Sequence, residues 1–272
     1  MTVSIKPLSH SMRVILLAAS ALVFLAGFQL FILTDYTNLY FAWTIQPSLT
    51  AAFLGAGYFS SFLLEFLASR EKEWCRGRIA VPAVFTFTTL TLVATLLHID
   101  RFHFGSPYVF ARTAAWFWLA IYALVPPALL LIWIHQVRIP GNDSTRTVPL
   151  ASWIRVVLGA QSIILLTLGI GLFVATSSVA PIWPWKLTPL TGQAVGAWLI
   201  GLGIFAAHSI HENDTLRIRS GLISYVLLGS LQLVALFRYA GNVNWGTPNT
   251  WTYLLFIFSI FFVGLFTLNR HH

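Results

Sequence analysis

The chain has 272 residues, of which 57% are hydrophobic and 9% charged, with a formal net charge of +8. Soluble domains carry about 25% charged residues, so this composition cannot clothe a water-facing surface. With a mean hydropathy of +0.79, the chain is a membrane protein.

Eight apolar runs near the spanning length of about 20 residues follow in order: 13–33, 49–67, 79–97, 113–134, 154–175, 190–207, 221–237 and 250–268. The hydrocarbon layer has no water to satisfy backbone groups, so each run must be a helix. The alternating pattern of a membrane β-barrel is absent.

Residues 1–12 read as a short tail. The first run ends before Asp35, and the next segment carries Trp43-x-x-x-Pro47 at the entry to the second run. Tryptophan favours the headgroup layer, and proline is tolerated in a helix's first turn. The segment is therefore expected to anchor at the outer interface, with a ligand cap as the second reading. The second run holds Glu65, the acid placed deepest in a span. It reads either as a proton-coupling group or as the satisfied partner of a nearby Arg or Lys. After the third run, "HIDRFHF" sets His98, Asp100, Arg101 and His103 at the outer end. The fourth run contains Pro126-Pro127, expected to break backbone hydrogen bonds in mid-span.

Residues 138–152 collect Pro, Gly, Asn and Ser and read as an inner linker. The fifth run leads to Trp185-x-x-x-Pro189, a second copy of the Trp-Pro motif. Residues 269–272 form a tail, and its His271-His272 is assigned no role. Twelve basic residues, Arg270 among them, fall on the N-terminal side of the spans, and Arg101, Arg112, Lys186 and Arg238 on the other. This bias places both termini in the cytoplasm. It also makes the positive charge a topology signal and a partner for anionic lipid, not for nucleic acid. The sequons at Asn142 and Asn213 fall on the inner side, which fits a bacterial-type plasma membrane. Cys75 is the single cysteine, so no intrachain disulfide is possible.

The doubled motif belongs to a longer correspondence. Arg13-Val14 and Arg155-Val156, Gly27 and Gly169, and Phe31 and Phe173 are each 142 positions apart. After one deletion the spacing becomes 141, matching Leu49-Thr50 with Leu190-Thr191, Gly55 with Gly196, and Arg76-x-Arg78 with Arg217-x-Arg219. Further on it matches "FGSP" from Phe104 with "WGTP" from Trp245. The fold expected is all-α and integral to the membrane. Eight transmembrane helices form two tandem four-helix repeats, 13–137 and 153–268. Four is even, so the repeats are parallel and related by a pseudo-twofold axis along the membrane normal.

Differences between the copies point to function. Asp100, Arg101 and His103 correspond to Gly241, Asn242 and Asn244, Asp35 corresponds to Ser177, and Arg238 to Leu97. The first reading of this outer cluster is an ion-pair latch, Asp100 with Arg238. The second is a binding or catalytic site, with His103 as proton carrier. Haem is considered through His135 and His208, the one histidine pair ending helices at the same depth. Neither repeats, and no c-type attachment motif exists. "HSIHE" from His208 lacks the order of a zinc-protease motif. No cofactor or metal is expected.

Three function classes remain. The first is a carrier or binder of a small amphiphilic or lipid-like solute at an outer cleft between the repeats, with Asp35, Trp43, Asp100, Arg101, His103, Trp185 and Arg238 as candidate ligand contacts. The second is an accessory subunit docked on another membrane protein or a second copy of itself. The third is a membrane-embedded enzyme. The absence of a P-loop, nucleophile elbow and dinucleotide fingerprint argues against energised transport and most enzymes.

Overall fold

The structure, a computed structural model, describes residues 4–269, so Arg270 and His271-His272 lie outside the described residues. It is all-helical, with only isolated bridges between extended segments. Eight helices are long and apolar enough to cross a membrane: α1 (His10–Ile32), α2 (Ser48–Arg70), α3 (Trp74–Leu97), α4 (Val109–Arg138), α5 (Ser152–Val174), α6 (Pro189–Glu212), α7 (Thr215–Arg238) and α8 (Pro248–Asn269).

Local chemistry sets several of these boundaries. Ser9 Oγ accepts from the Met12 amide and starts α1. Thr188 and Thr191 form a reciprocal capping box at the start of α6, which satisfies amides that the first turn leaves orphaned. Asn213, in the left-handed region at φ 43°, ends α6. Asp214 Oδ1 then accepts from the Leu216 and Arg217 amides and starts α7. Pro126 and Pro127 were expected to interrupt α4, yet both lie inside one 30-residue helix. They remove two amide donors without ending the turn-by-turn geometry.

The helices sort by burial. In the apolar stretches of α2 and α6, 72% and 78% of the residues are buried, against 28% in α1 and 22% in α4. The first pair forms the middle of the bundle and the second lies at its rim. α2 packs on α1 and α7, α6 packs on α5 and α3, and α4 and α8 close against α3 and α7. The halves are thus interleaved.

Glycines permit the closest approaches. A Cβ at Gly55 would lie 2.5 Å from the Phe31 amide nitrogen, and one at Gly196 would lie 2.9 Å from that of Phe173. A Cβ at Gly27 would meet the Phe59 nitrogen at 3.1 Å, and one at Gly169 the Ile200 nitrogen at 2.8 Å. Between α2 and α7, Ser60 and Ser224 each donate to the other's carbonyl, at 2.9 and 2.7 Å.

At the end carrying Ser4, the N-terminal segment is tied down. Lys6 N donates to Asn142 O and Leu8 N to Lys72 O, and Gln136 bonds to both Ser9 N and Pro7 O. At the far end, Trp43 and Phe102 form an antiparallel bridge that joins the α1–α2 and α3–α4 connections.

Candidate functional site

A cavity of about 160 Å³ lies among α2, α5, α6, α7 and α8, in the far half of the bundle. Phe53 and Gly57 come from α2, Leu165 and Leu168 from α5, Trp198 and Leu199 from α6, Leu228 and Gln232 from α7, and Tyr253, Phe256 and Ile260 from α8. Ile164 on its lining is 43% exposed and Ile182 is 52% exposed. Asn249 and Thr252 of α8, also on its lining, are exposed too, so the cavity opens at the surface between α8 and α5 with its following connection.

Its far-end wall is an aromatic knot. The rings of Trp183 and Trp185 lie 5.2 Å apart, Trp183 and Tyr253 5.6 Å, and Phe53 and Trp183 5.5 Å, in edge-to-face arrangements. Polar groups on the wall satisfy one another: Tyr253 OH donates to Gln232 Oε1 at 3.2 Å, and Gln232 Nε2 donates to Phe53 O at 3.1 Å. Trp185 Nε1 donates across to Thr50 Oγ1 at 2.9 Å. Trp183 Nε1 is buried and has no partner among the described residues. The site offers apolar volume and one free donor.

Trp43 and Trp185 were expected to anchor in the headgroup layer, but they are only 3% and 5% exposed. The connections fold inward over the helix ends, and Trp43 packs against Phe41, Phe102 and Trp118.

The far-end polar residues do not form one cluster. Asp100 pairs with its neighbour Arg101 at 3.1 Å, both largely exposed, and not with Arg238. His103 is engaged on both ring nitrogens, with Phe41 O at 2.9 Å and Thr44 Oγ1 at 3.0 Å. Asp35 accepts from Ser48 Oγ at 2.5 Å and from Tyr239 OH at 3.5 Å. Arg238 donates to Phe31 O at 2.9 Å, binding a carbonyl in the last turn of α1, where a cation also complements the helix dipole.

Glu65 is 1% exposed and accepts from Ser61 Oγ at 2.8 Å; its Oε2 has no partner, and it makes no ion pair among the described residues. His208 Nε2 is engaged with Glu212 at 3.2 Å, whereas His135 is exposed. Among the described residues no group of three or more His, Cys, Asp or Glu side chains is placed to hold a metal ion.

At the near end lies a charged network unforeseen from sequence. Glu212, fully buried, accepts from Arg78, Arg217 and His208, and Asp143 of the linker joins both arginines. Electrostatic coupling also links Glu71 with Arg76 and Arg219. Glu71 and Glu212 are 141 positions apart, the spacing already seen for the Arg-x-Arg pairs, and that signal was available.

Comparison with protein-family models, with curated proteins and with solved structures returned no match to this chain.

Proposed function

We propose that this chain is a multi-pass protein of a bacterial-type plasma membrane that binds or carries a small amphiphilic, lipid-like molecule in the cavity beneath Trp183. The observation that carries this reading is the cavity itself. An apolar void of about 150 Å³ in a packed protein stays dry and accepts benzene, so one of about 160 Å³ suits an apolar ring or chain segment. The opening between α5 and α8 gives access from the bilayer, and Trp183 Nε1 offers a hydrogen bond to a headgroup or ester oxygen. The twelve-to-four distribution of basic residues supports cytoplasmic termini.

The reading includes descent from a duplicated four-helix unit, its halves parallel about a pseudo-twofold axis along the membrane normal. Matched contacts support it. Gly55 against Phe31 and Gly196 against Phe173 are the same pair 141 and 142 positions on, as are Gly27 against Phe59 and Gly169 against Ile200. The packing of α2 on α7 likewise mirrors that of α6 on α3.

On this view the cavity has a counterpart, and the counterpart is filled. Tyr58, Phe87, Trp118, Tyr122 and Trp198 pack as one aromatic cluster, with Phe87 and Trp198 centroids 4.1 Å apart and Trp118 and Tyr122 4.4 Å. Their equivalents are Leu199, Leu228, Ser259, Val263 and Gly57, and three of these, Gly57, Leu199 and Leu228, line the cavity. Ring volume lost from one half opens the void. Native mass spectrometry of protein extracted from membranes tests the reading. A retained lipid-sized mass is expected, and its absence under mild extraction counts against it.

A second reading, an accessory subunit docked on another membrane protein or a second copy, draws on the far-end residues. Asp35, Asp100 and His103 are each paired locally, as structural groups would be. The enzyme reading ranks last, because His103 would have to leave two partners to move a proton.

A further inference from the structure

Among α2, α3, α6 and α7, beside the Ser60–Ser224 contact, is a second chamber of about 40 Å³. Its wall is mostly apolar, with Leu64, Val84, Phe87 and Phe205, and its polar edge is formed by Ser60, Ser61, Ser224 and Tyr225. The Tyr225 hydroxyl, on a residue 2% exposed, has no hydrogen-bond partner among the described residues. Ser220 Oγ, one turn before Ser224, is also buried and unpartnered, as is Glu65 Oε2. Ser61 joins the chamber to Glu65, since it lines the former and donates to the latter.

Leaving several buried polar atoms unpaired is costly, and such groups are normally served by internal water. A water needs about 10–15 Å³ of this kind of volume and two to four polar partners, so the chamber has room for two or three, with polar partners along its Ser60, Ser61, Ser224 and Tyr225 edge.

The basic groups at the near ends of α1 and α7, the helices packed on α2, are committed elsewhere. Arg13 of α1 donates to Glu71 O, and Arg217 of α7 binds Glu212. Arg219 faces outward, coupled to Glu71. The electrostatic neighbours of Glu65 within the bundle are Tyr58 and Tyr122, whose hydroxyls bond to each other at 2.8 Å. With no cation beside it among the described residues, an ionised carboxylate here would be buried unpaired, whereas the neutral acid needs only a hydrogen bond.

We infer that Glu65 is a neutral carboxylic acid reached, beside Ser61, by water in the chamber among α2, α3, α6 and α7, and so a site within the membrane whose proton exchanges with water. This does not depend on the nature of the cavity ligand.

Infrared spectroscopy of the full chain in lipid nanodiscs tests it. The expected result is a protonated-carboxyl carbonyl band that Glu65→Gln removes and that shifts to lower frequency in D2O. Absence of any Glu65-dependent band means an ionised side chain and overturns the inference. A band that stays unshifted in D2O means a dry, non-exchanging acid and overturns it equally. Should Glu65→Gln fail to fold, Ser61→Ala keeps the acid but deletes its donor. The band must then move, and an unmoved band refutes the assignment.

Discussion

The guanidinium of Arg78 grips the carboxylate of Glu212 with two nitrogens, Nε to Oε1 at 2.5 Å and Nη2 to Oε2 at 2.9 Å. The pair joins α3 of the first half to the end of α6 in the second, and its carboxylate is fully buried. Removing one member of a buried pair costs about 3–5 kcal/mol when the other charge is left uncompensated; here Arg217 and His208 still hold Glu212, so the loss falls below that range. Arg78→Ala should lower the thermal midpoint measurably in detergent, and Arg78→Ala combined with Glu212→Gln should recover part of the loss. The exposed Arg219 serves as control: Arg219→Ala is expected to change stability by less than about 1 kcal/mol. Equal losses from Arg78→Ala and Arg219→Ala would falsify the assignment of the buried pair as the tie between halves.

Asp100 gives the contrasting case. Its side chain is 68% exposed and its partner Arg101 72% exposed, and exposed pairs are worth about 0–1 kcal/mol. Asp100→Asn should leave stability almost unchanged, and the cost of Arg238→Gln, which loses the bond to Phe31 O, should be the same with or without Asp100→Asn. A large loss restored by the second substitution would instead reinstate a latch between these residues.

Much of the architecture is legible in the sequence because it rests on one-dimensional signals. The runs of apolar residues mark the spans, and Gly27, Gly55, Gly169 and Gly196, which recur at a common spacing, sit at close backbone approaches; the caps at Thr188 and Asp214 extend α6 and α7 past the apolar runs 190–207 and 221–237. The cavity is not legible in this way. It arises where Gly57, Leu199 and Leu228, far apart in sequence, together leave volume that rings fill elsewhere, and no single stretch carries that deficit. Trp43 misleads for a related reason. The interface preference of tryptophan describes a ring facing lipid, whereas the connection around Trp43 folds back over the bundle and buries it against Trp118. Asp100 and Arg238 share an end of the bundle but not a contact, because each has a nearer partner.

Interleaving of the halves has a consequence for assembly. α2 packs on α7 and α6 on α3, so neither half retains its neighbours alone. Fragments 1–145 and 146–272, divided at the exposed Thr145, should co-purify when expressed together and aggregate when expressed singly. Two monodisperse fragments with no affinity for each other would contradict the packing.

Filling the cavity separates its two possible natures. Leu228→Phe places a ring, like that of Phe87 141 positions earlier, into a void of about 160 Å³. If the void is a packing defect, filling it stabilises by about 0.5–2 kcal/mol and nothing else changes. If it is a binding site, the variant should also lose a lipid-sized mass that the parent protein retains in native mass spectrometry. Trp183→Phe, which removes the free Nε1 donor while keeping the ring contacts with Trp185 and Tyr253, should weaken retention about 5–10-fold, the worth of roughly one hydrogen bond of about 1 kcal/mol. Full retention in both variants would mean that the bound molecule sits elsewhere on the protein.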